Sequence, residues 1–330
     1  MRPSSLWAVW RRQGTLGFIQ SVTDRLTGTR SSLVNEALAV AAGAKGIEIG
    51  GPSDRFQWDG MLPLYPAMRA VDNVNFSAQT LWEKALKEGT AYLPAGRPVG
   101  IQFLREASDL HDIPDDSYDV VISSHCLEHI ANPLRALREW RRVCRPGGYL
   151  CLIVPHLDGT FDWKRPVTTI GHYRSDLEND VGESDSTHFD EVIRCHDLSM
   201  DPGVSSFEEL RSRVANNLTV RSVHHHVFDL RSAVLLVSEA GWRPTAAKAR
   251  RPCDIMVLAQ KSTDLSAGHK SKSILRGSPF RSDHWRLFPR NWGASVFGHA
   301  PIRIRRHGNG PSVSFLANSA GDDAVPAQQG

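Results

Sequence analysis

Two apolar runs joined by a helical pattern limit the folds that this chain can adopt. Residues 119–123 read Asp-Val-Val-Ile-Ser, a run apolar enough for a strand that is buried on both faces. A helical repeat of apolar residues follows from Pro133 to about Cys144, and Arg145-Pro-Gly-Gly148 then leads into a second apolar run at 149–154. A strand, a helix and a strand in this order predict two parallel strands joined by a right-handed crossover.

The same alternation extends through much of the chain. Apolar periodicity and capping residues predict helices over 31–42 and 229–240, and strands over 46–50, 68–72, 101–104 and 254–259. We therefore expect an α/β fold with a doubly wound, mostly parallel sheet.

Three regions break the alternation. Residues 156–226 are rich in Asp, His, Arg and Thr, which predicts a polar insertion after strand five that covers the carboxyl edge of the sheet as a substrate lid. Residues 1–30 show little periodicity and are expected to form a mobile arm. Residues 261–330 are rich in Ser, Gly, Pro and Arg, which predicts a partly disordered tail. The main domain is therefore predicted over 31–260.

Composition excludes some classes of function. A formal charge of +3 on 330 residues is too small to indicate a nucleic-acid partner. Five cysteines without a CxxC pair favour unpaired thiols in a reducing compartment. No apolar run approaches the ~18 residues that span a bilayer, and the N-terminus has no apolar segment typical of a signal peptide. We expect a cytoplasmic protein without a transmembrane segment.

Polar and glycine residues follow the predicted first two strands. In open α/β sheets, ligands bind beyond the carboxyl ends of the strands, where the strand order reverses. The first strand presents Glu48 and the turn Gly50-Gly-Pro-Ser53 at this edge, and the second presents Asp72. Glycines let the backbone approach a ligand closely, and a strand-end acid can accept ribose hydroxyls, although it can also serve only as a strand cap. This edge is therefore a predicted nucleotide-type cofactor site.

The turn departs from the glycine pattern of dinucleotide-binding proteins. Pro52 and Asp54 occupy the positions where the later glycines of GxGxxG would fall. A pyrophosphate needs the close approach that those glycines allow, so a cofactor without phosphates is favoured over NAD. The chain also lacks a Tyr-x-x-x-Lys pair, which counts against a nicotinamide-dependent sugar-modifying enzyme.

These residues resemble the class I S-adenosylmethionine-dependent methyltransferases, in particular the type 11 branch. Glu48-Ile-Gly50 resembles the acid-x-Gly turn of that family, and residues 119–129 with Arg145-Pro-Gly-Gly148 resemble its fourth-strand and fifth-strand motifs. The resemblance implies a Rossmann-like sheet of seven strands, S-adenosyl-L-methionine as the cofactor, and methyl transfer. Several further motifs, such as Leu62-Pro-Leu-Tyr65, resemble an uncharacterised bacterial subgroup, some of whose members are linked to surface polysaccharides.

The resemblance and the glycine turn together predict the cofactor contacts. The family's ribose-binding acid falls on Asp72 and its adenine-side acid on Asp109. The full predicted set is Glu48, Gly50, Gly51, Asp72, Asn73, Asp109, Leu110 and Ser124.

Histidines near the same edge are candidates for a general base. His125 and His129 follow the fourth strand, and His156 follows the fifth. Histidine suits proton removal from a hydroxyl at neutral pH, but capping or solvent-facing roles fit His125 and His129 equally well.

The insertion also contains many possible metal ligands, among them Asp185, His188 and His224-His-His226. Carboxylates and imidazoles together suit divalent ions. However, no HxxxH spacing appears within the insertion, and neighbouring histidines on a strand point to opposite faces. We therefore favour a hydrogen-bonded substrate lid and assign no metal ligands.

The predicted reaction is O-methylation of a hydroxyl on a small-molecule or glycan acceptor. An RNA or protein methyltransferase is an open alternative. The sequence Ser123-Ser-His-Cys126, where base-methylating enzymes carry Asn/Asp-Pro-Pro-Tyr, and the scattered basic residues count against it. A non-catalytic S-adenosylmethionine-binding module also remains open, and the sequence does not determine an oligomeric state.

Overall fold

A computed structural model describes residues 31–81, 83, 85–94, 99–201, 203–262, 278–280 and 282–283. The helices in this part of the chain are α1 Ser32–Ala41, α2 Pro133–Val143, α3 Ile170–Glu178, α4 Phe189–Cys195, α5 Phe207–Ala215, α6 Asn217–Val220 and α7 Leu230–Glu239. The strands are β1 Lys45–Ile49, β2 Ala70–Asn75, β3 Ala91–Tyr92, β4 Gly100–Leu104, β5 Tyr118–Ser124, β6 Cys144–Pro155, β7 Arg243–Arg250 and β8 Asp254–Gln260. The predicted arm at 1–30 and most of the predicted tail lie outside the described residues.

The described strands form one sheet in the order β3-β4-β2-β1-β5-β6-β8-β7. Five neighbouring strands, from β4 to β6, are parallel, and β3, β7 and β8 are antiparallel to their neighbours. This confirms the doubly wound, mostly parallel architecture. The sheet has eight strands, because the two-residue β3 adds an edge to the seven expected. The strand order reverses between β1 and β5, which is the position where such sheets bind ligands.

Capping residues begin the helices that cover the sheet. Ser31 accepts a hydrogen bond from the backbone of α1, and Asn132 does the same for α2, where Pro133 is the first helical residue. Asp229 begins α7 with a reciprocal capping box involving Ser232. All three helices therefore begin where local sequence signals place them.

Each face of the sheet carries its own apolar core. Val121 and Leu152 pack on the side of α2 and α7, whereas the neighbouring Val120 and Ile153 pack on the side of α1. This alternation follows from the two-residue period of a strand. Trp140 of α2 is fully buried, and its indole N–H donates to the carbonyl of Ala107 at 2.8 Å, so no polar atom of that ring is left unsatisfied.

The region 156–226 contains more regular structure than its polar composition suggests. Helices α3 to α6 lie within it, and it has a small apolar cluster of its own formed by Val192, Val204, Leu210, Val214 and Val223. No helix in the described part of the chain is both long and apolar enough to cross a membrane.

A short segment of the predicted tail packs against the domain. Phe280 is 1% exposed and stacks on His156 with ring centroids 3.8 Å apart. Asp283 accepts a hydrogen bond from the backbone N–H of Leu230 at 3.0 Å. Phe280 therefore belongs to the core on the α7 side, and Asp283 is hydrogen-bonded to the start of α7.

Candidate active site

A cavity of about 400 Å³ opens at the carboxyl ends of β1, β2, β4 and β5. It lies at the strand-order reversal and falls in the usual size range for small-molecule sites. The glycine turn, the ends of β2 and β5, the loop after β4 and two residues of the insertion form its walls. These walls include Gly50, Gly51, Pro52, Ser53, Asn75, Phe76, Glu106, Ala107, Ser124, His125, Cys126, His129, Glu183 and Arg221.

The turn after β1 requires glycine at two positions. Gly50 has φ +80°, and a Cβ there would lie 2.6 Å from the Sγ of Cys126. A Cβ on Gly51 would lie 2.2 Å from the carboxyl carbon of Glu48. Side chains at either position would collide with the residues that support the turn, so the backbone itself forms this wall of the cavity.

Glu48 supports the turn from below and is not a cavity wall. Its carboxylate is fully buried and accepts hydrogen bonds from Tyr92 Oη at 2.6 Å, from Tyr65 Oη at 2.8 Å and from the Ser53 N–H at 3.1 Å. Burial raises the pKa of Glu48 to about 7, although these three donors oppose that rise. The predicted cofactor contact therefore holds the turn in place, one layer beneath the cavity.

Buried amides fix the other side of the turn. Asn73 accepts from the Gly51 N–H at 3.1 Å and donates to the Gly51 carbonyl at 3.2 Å, while Asn75 donates to the same carbonyl at 3.1 Å. Gln102 on the next strand accepts from Asn73 at 2.9 Å. Asn73 is thus a supporting residue, whereas Asn75 reaches the cavity wall.

Asp72 lies outside the cavity. Its carboxylate accepts from the Ile101 N–H at 2.8 Å and from Tyr118 Oη at 2.9 Å, and it lies 3.3 Å from Lys45 Nζ. β2 continues three residues beyond Asp72, so the strand ends at the cavity with Asn75. Asn75 therefore occupies the strand-end position that the sequence assigned to the acid.

Asp109 and Leu110 also lie outside the cavity. Asp109 pairs with His111 on the surface, and Leu110 is fully buried in the core. Glu106 and Ala107 line the cavity instead, because β4 ends at Leu104 and the chain crosses the sheet edge directly afterwards. The first acid after the strand was the sequence signal that would have identified Glu106.

Two of the predicted site residues at the end of β5 line the cavity. Ser124 is buried, and its Oγ has no hydrogen-bond partner among the described residues. His125 Nε2 lies 2.8 Å from Asp254 Oδ1, and Arg55 Nε donates to the same oxygen at 3.1 Å. Burial opposes ionisation of Asp254, but the Arg55 charge and the His125 hydrogen bond outweigh it and lower the pKa of this carboxyl to about 2. An ionised carboxylate thus orients His125.

A buried group of acid and imidazole side chains lies beside His129. The Glu128 carboxylate is 1% exposed, has no hydrogen-bond partner in the described structure, and lies 3.9 Å from His129 Nε2. His129 Nδ1 lies 3.1 Å from the Val223 carbonyl, and His224 Nδ1 is hydrogen-bonded to Asp162. Burial raises the pKa of Glu128 and lowers that of His129. Burial would also lower the pKa of His224, but the Asp162 charge outweighs it and raises that pKa.

His156 is not part of the cavity. It is fully buried between Phe280 and the chain, with Nε2 3.2 Å from Asp283 and Nδ1 accepting from the Asp158 N–H at 3.1 Å. Of the three candidate bases, the structure therefore brings His125 and His129 to the cavity and places His156 in the core.

Two insertion residues, Glu183 and Arg221, close one side of the cavity. Arg221 forms ion pairs with Glu106 at 2.7 Å and with Glu183 at 2.6 Å, and its guanidinium lies 4.8 Å from the ring centre of Phe76. The partners are far apart in sequence, so no local motif marks them. Arg221 links the insertion to the loop after β4.

Comparison with known families identifies the domain type. Residues 64–152 match the family described as Methyltransferase domain, type 11. This stretch contains β2 to β5, α2 and most of β6. The predicted resemblance to the type 11 methyltransferases is confirmed for this stretch of the chain.

Curated relatives match parts of the chain. Phosphatidylethanolamine N-methyltransferase of Cereibacter sphaeroides is 31% identical over 121 residues, which cover 37% of this chain and 56% of that protein. An uncharacterised 37.1 kDa protein in transposon TN4556 of Streptomyces fradiae is 43% identical over 94 residues, which cover 22% of this chain and 27% of that protein. The chain thus spans between about a quarter and about half of the length of these two relatives.

Solved methyltransferase structures align with more than two thirds of this chain. A Methanosarcina mazei S-adenosylmethionine-dependent methyltransferase aligns over 71% of this chain and 99% of that chain, with 14% identity and a TM-score of 0.40. The 1,6-didemethyltoxoflavin-N1-methyltransferase of Burkholderia thailandensis aligns over 79% and 91%, with 15% identity and a TM-score of 0.37.

Proposed function

We propose that this chain is an S-adenosylmethionine-dependent methyltransferase that methylates a hydroxyl on a small-molecule or glycan acceptor. One observation carries the proposal: the glycine turn, Asn75 with Phe76, and Glu106 with Ala107 all border a single cavity at the strand-order reversal.

Several residues of the cavity wall have the chemistry to hold the cofactor. Asn75 at the end of β2 and Glu106 in the loop after β4 are the groups that would meet a ribose and an adenine, and Phe76 adds an apolar face to the same wall. The methionine end of the cofactor would lie against the backbone of Gly50 and Gly51 and against Ser124. A polar group of the cofactor would give the buried Ser124 hydroxyl the hydrogen-bond partner that it lacks among the described residues. When bound, S-adenosylmethionine supplies a methyl group that is open to in-line attack by a nucleophile, with the sulfonium sulfur as the leaving group.

His125 is the proposed general base. Its Nε2–H donates to Asp254, which leaves the lone pair of Nδ1 to accept the proton of the acceptor hydroxyl. Asp254 is ionised at neutral pH, so it holds the imidazole in that tautomer and stabilises the imidazolium that forms. His125 Nδ1 would therefore take up the proton that the acceptor oxygen releases on methylation.

The buried group of acid and imidazole side chains beside His129 is the proposed acceptor side. Glu128 and His129 place a carboxylate and an imidazole next to His125, and the imidazole of His224 lies close to both. Groups of this kind hydrogen-bond hydroxylated ligands, because each hydroxyl both donates and accepts. They favour a hydroxylated acceptor over a flat apolar one.

One observation favours a second acceptor class. The Glu128 carboxylate is buried with no hydrogen-bond partner among the described residues, and a cationic amine would satisfy it. The relative from Cereibacter sphaeroides is named as an N-methyltransferase. N-methylation of an amine is therefore the second candidate reaction.

The insertion is proposed to act as the lid of this site. Arg221 and Glu183 reach the cavity from it, and the ion pair between Arg221 and Glu106 joins it to the loop after β4. All five cysteines lie in the described residues and none forms a disulfide, which supports the proposal of a reducing, cytoplasmic location.

Calorimetric titration with S-adenosylmethionine tests the cofactor site. Glu106→Gln removes a charge at the cavity wall, whereas Asp109→Asn removes a charge from the same loop outside the cavity. We expect Glu106→Gln to weaken binding about tenfold, the loss typical of a charged hydrogen bond, and Asp109→Asn to leave it unchanged. Equal effects of the two variants, or no binding to the folded wild type, would refute the placement.

Transfer of labelled methyl to a panel of acceptors tests the reaction. The panel pairs hydroxylated sugars and glycolipids with amines of similar size. Label in the hydroxylated members supports O-methylation, and label only in the amines establishes the second candidate. If the protein binds the cofactor but transfers no label to RNA, to protein or to any panel member when many equivalents of cofactor are supplied, it is the non-catalytic module.

A further inference from the structure

Three histidines from separate segments of the insertion converge outside the cofactor cavity. His172 lies on α3, His188 directly precedes α4, and His226 lies in the extended segment before α7. One ring nitrogen from each lies within 4.8 Å of the others, and the Nε2 atoms of His172 and His188 are 3.1 Å apart. None of the three lines the cofactor cavity.

The surroundings orient two of these rings. His226 is 1% exposed, and its Nε2 donates to the carbonyl of Ala131 at 3.1 Å. That contact assigns the proton to Nε2 and leaves a lone pair on Nδ1, which has no hydrogen-bond partner in the described structure. His188 Nδ1 faces Glu191 at 3.7 Å, which favours a lone pair on Nε2. Metal-bound histidines are held in the same manner through their second nitrogen.

A buried carboxylate completes the group. Asp176 is 7% exposed, and its Oδ2 has no hydrogen-bond partner among the described residues. This oxygen lies 3.5 Å from His172 Nε2, the same nitrogen that lies 3.1 Å from His188 Nε2. A buried polar atom without a partner is costly, and a cation would satisfy this one.

A hydrogen bond between His172 and His188 explains fewer of these observations than a bound cation does. It explains the 3.1 Å separation, but it leaves the buried atoms Asp176 Oδ2 and His226 Nδ1 without a hydrogen-bond partner among the described residues. Ligand atoms about 2.0–2.1 Å from a tetrahedral Zn²⁺ lie roughly 3.3 Å from one another. The Nε2 atoms of His172 and His188, 3.1 Å apart, are close to that spacing.

We propose that His172, His188, His226 and Asp176 bind one divalent cation of the zinc type. Three imidazoles and one carboxylate form a donor set that suits Zn²⁺. The cation ties α3, the start of α4 and the segment before α7 together, and thereby fixes the insertion over the sheet. It stands apart from methyl transfer, so its test requires neither cofactor nor acceptor.

Metal titration of the full chain tests this site. The purified protein is stripped with a chelator, titrated with ZnCl₂ by calorimetry, and loaded with Co²⁺, whose visible absorption reports tetrahedral coordination. We expect one equivalent of Zn²⁺ per chain and a tetrahedral Co²⁺ spectrum. His188→Gln should lose the bound equivalent, and His172→Cys should retain it where His172→Gln does not, because a thiolate still coordinates zinc.

Two control variants locate the ion. His111→Gln changes an exposed histidine, and His224→Gln changes the cluster beside the cofactor cavity; both should keep one equivalent. A folded wild type that binds no Zn²⁺ would overturn the proposal. Binding that survives His188→Gln but is lost in His224→Gln would equally overturn it, because the ion would then lie beside Glu128.

Discussion

Glu48 should make the unfolding free energy of this protein fall as the pH rises from 4.5 towards 7. The carboxyl is fully buried, and its pKa rises from an ordinary 4.5 to about 7 because burial disfavours its charged form. Between these two values the native state keeps a proton that the unfolded chain has released. Stability contributed by the protonated carboxyl is therefore complete below pH 4.5 and is lost as the pH rises towards 7.

The size of this effect follows from the change in pKa. At about 1.4 kcal/mol per pH unit, moving the pKa from 4.5 to about 7 corresponds to roughly 3 kcal/mol of unfolding free energy. Glu48→Gln removes the ionisation and keeps an oxygen that can accept from Tyr65 or Tyr92. Relative to wild type, the variant should gain stability by about that amount between pH 4.5 and 8.

Urea denaturation of wild type and Glu48→Gln at several pH values between 4.5 and 8 measures this difference. Asp109→Asn serves as the control, because that carboxyl is exposed and should show no such trend. A difference in unfolding free energy that stays constant with pH, or that favours wild type increasingly as the pH rises, would show that Glu48 is ionised in the native state.

Three further substitutions test other parts of the site. Arg221→Ala should weaken S-adenosylmethionine binding severalfold and speed its release in stopped-flow experiments, because the link between the insertion and the sheet is lost; an unchanged release rate would contradict the lid. Asp254→Asn should lower kcat about a hundredfold at an unchanged cofactor Kd, since His125 loses its orienting charge; a change in Kd alone would make Asp254 a structural residue. Gly50→Ala should destabilise the protein by about 1–3 kcal/mol in denaturant, from the positive φ and the contact with Cys126, and a neutral effect would contradict the geometry of the turn.

The fold was accessible from the sequence because its signals are local. Apolar periodicity and caps such as Asn132 and Asp229 lie within the elements they define, so the order of strands and helices could be predicted. β7 was missed because its residues, Arg-Pro-Thr-Ala-Ala-Lys-Ala-Arg, have little apolar character and depend on pairing with β8.

The site was less accessible because its polar residues depend on distant partners. The sequence Asp72-Asn-Val-Asn75 looks like the end of a strand, yet β2 continues through it because Asn73 and Asn75 are satisfied by Gln102 and by the glycine turn. His156 follows β6 as a base would, but its partner Asp283 lies 127 residues away. Such pairings have no signature in the local sequence.

Hydrogen–deuterium exchange with and without S-adenosylhomocysteine tests the central claim most directly. The cavity walls are formed by residues 50–53, 75–76 and 105–107, and these segments should become protected when the ligand binds. Peptides covering 109–111 lie outside the cavity and should exchange at the same rate in both states. Protection at 109–111 with none at 50–53 or 75–76 would contradict the proposed cofactor site.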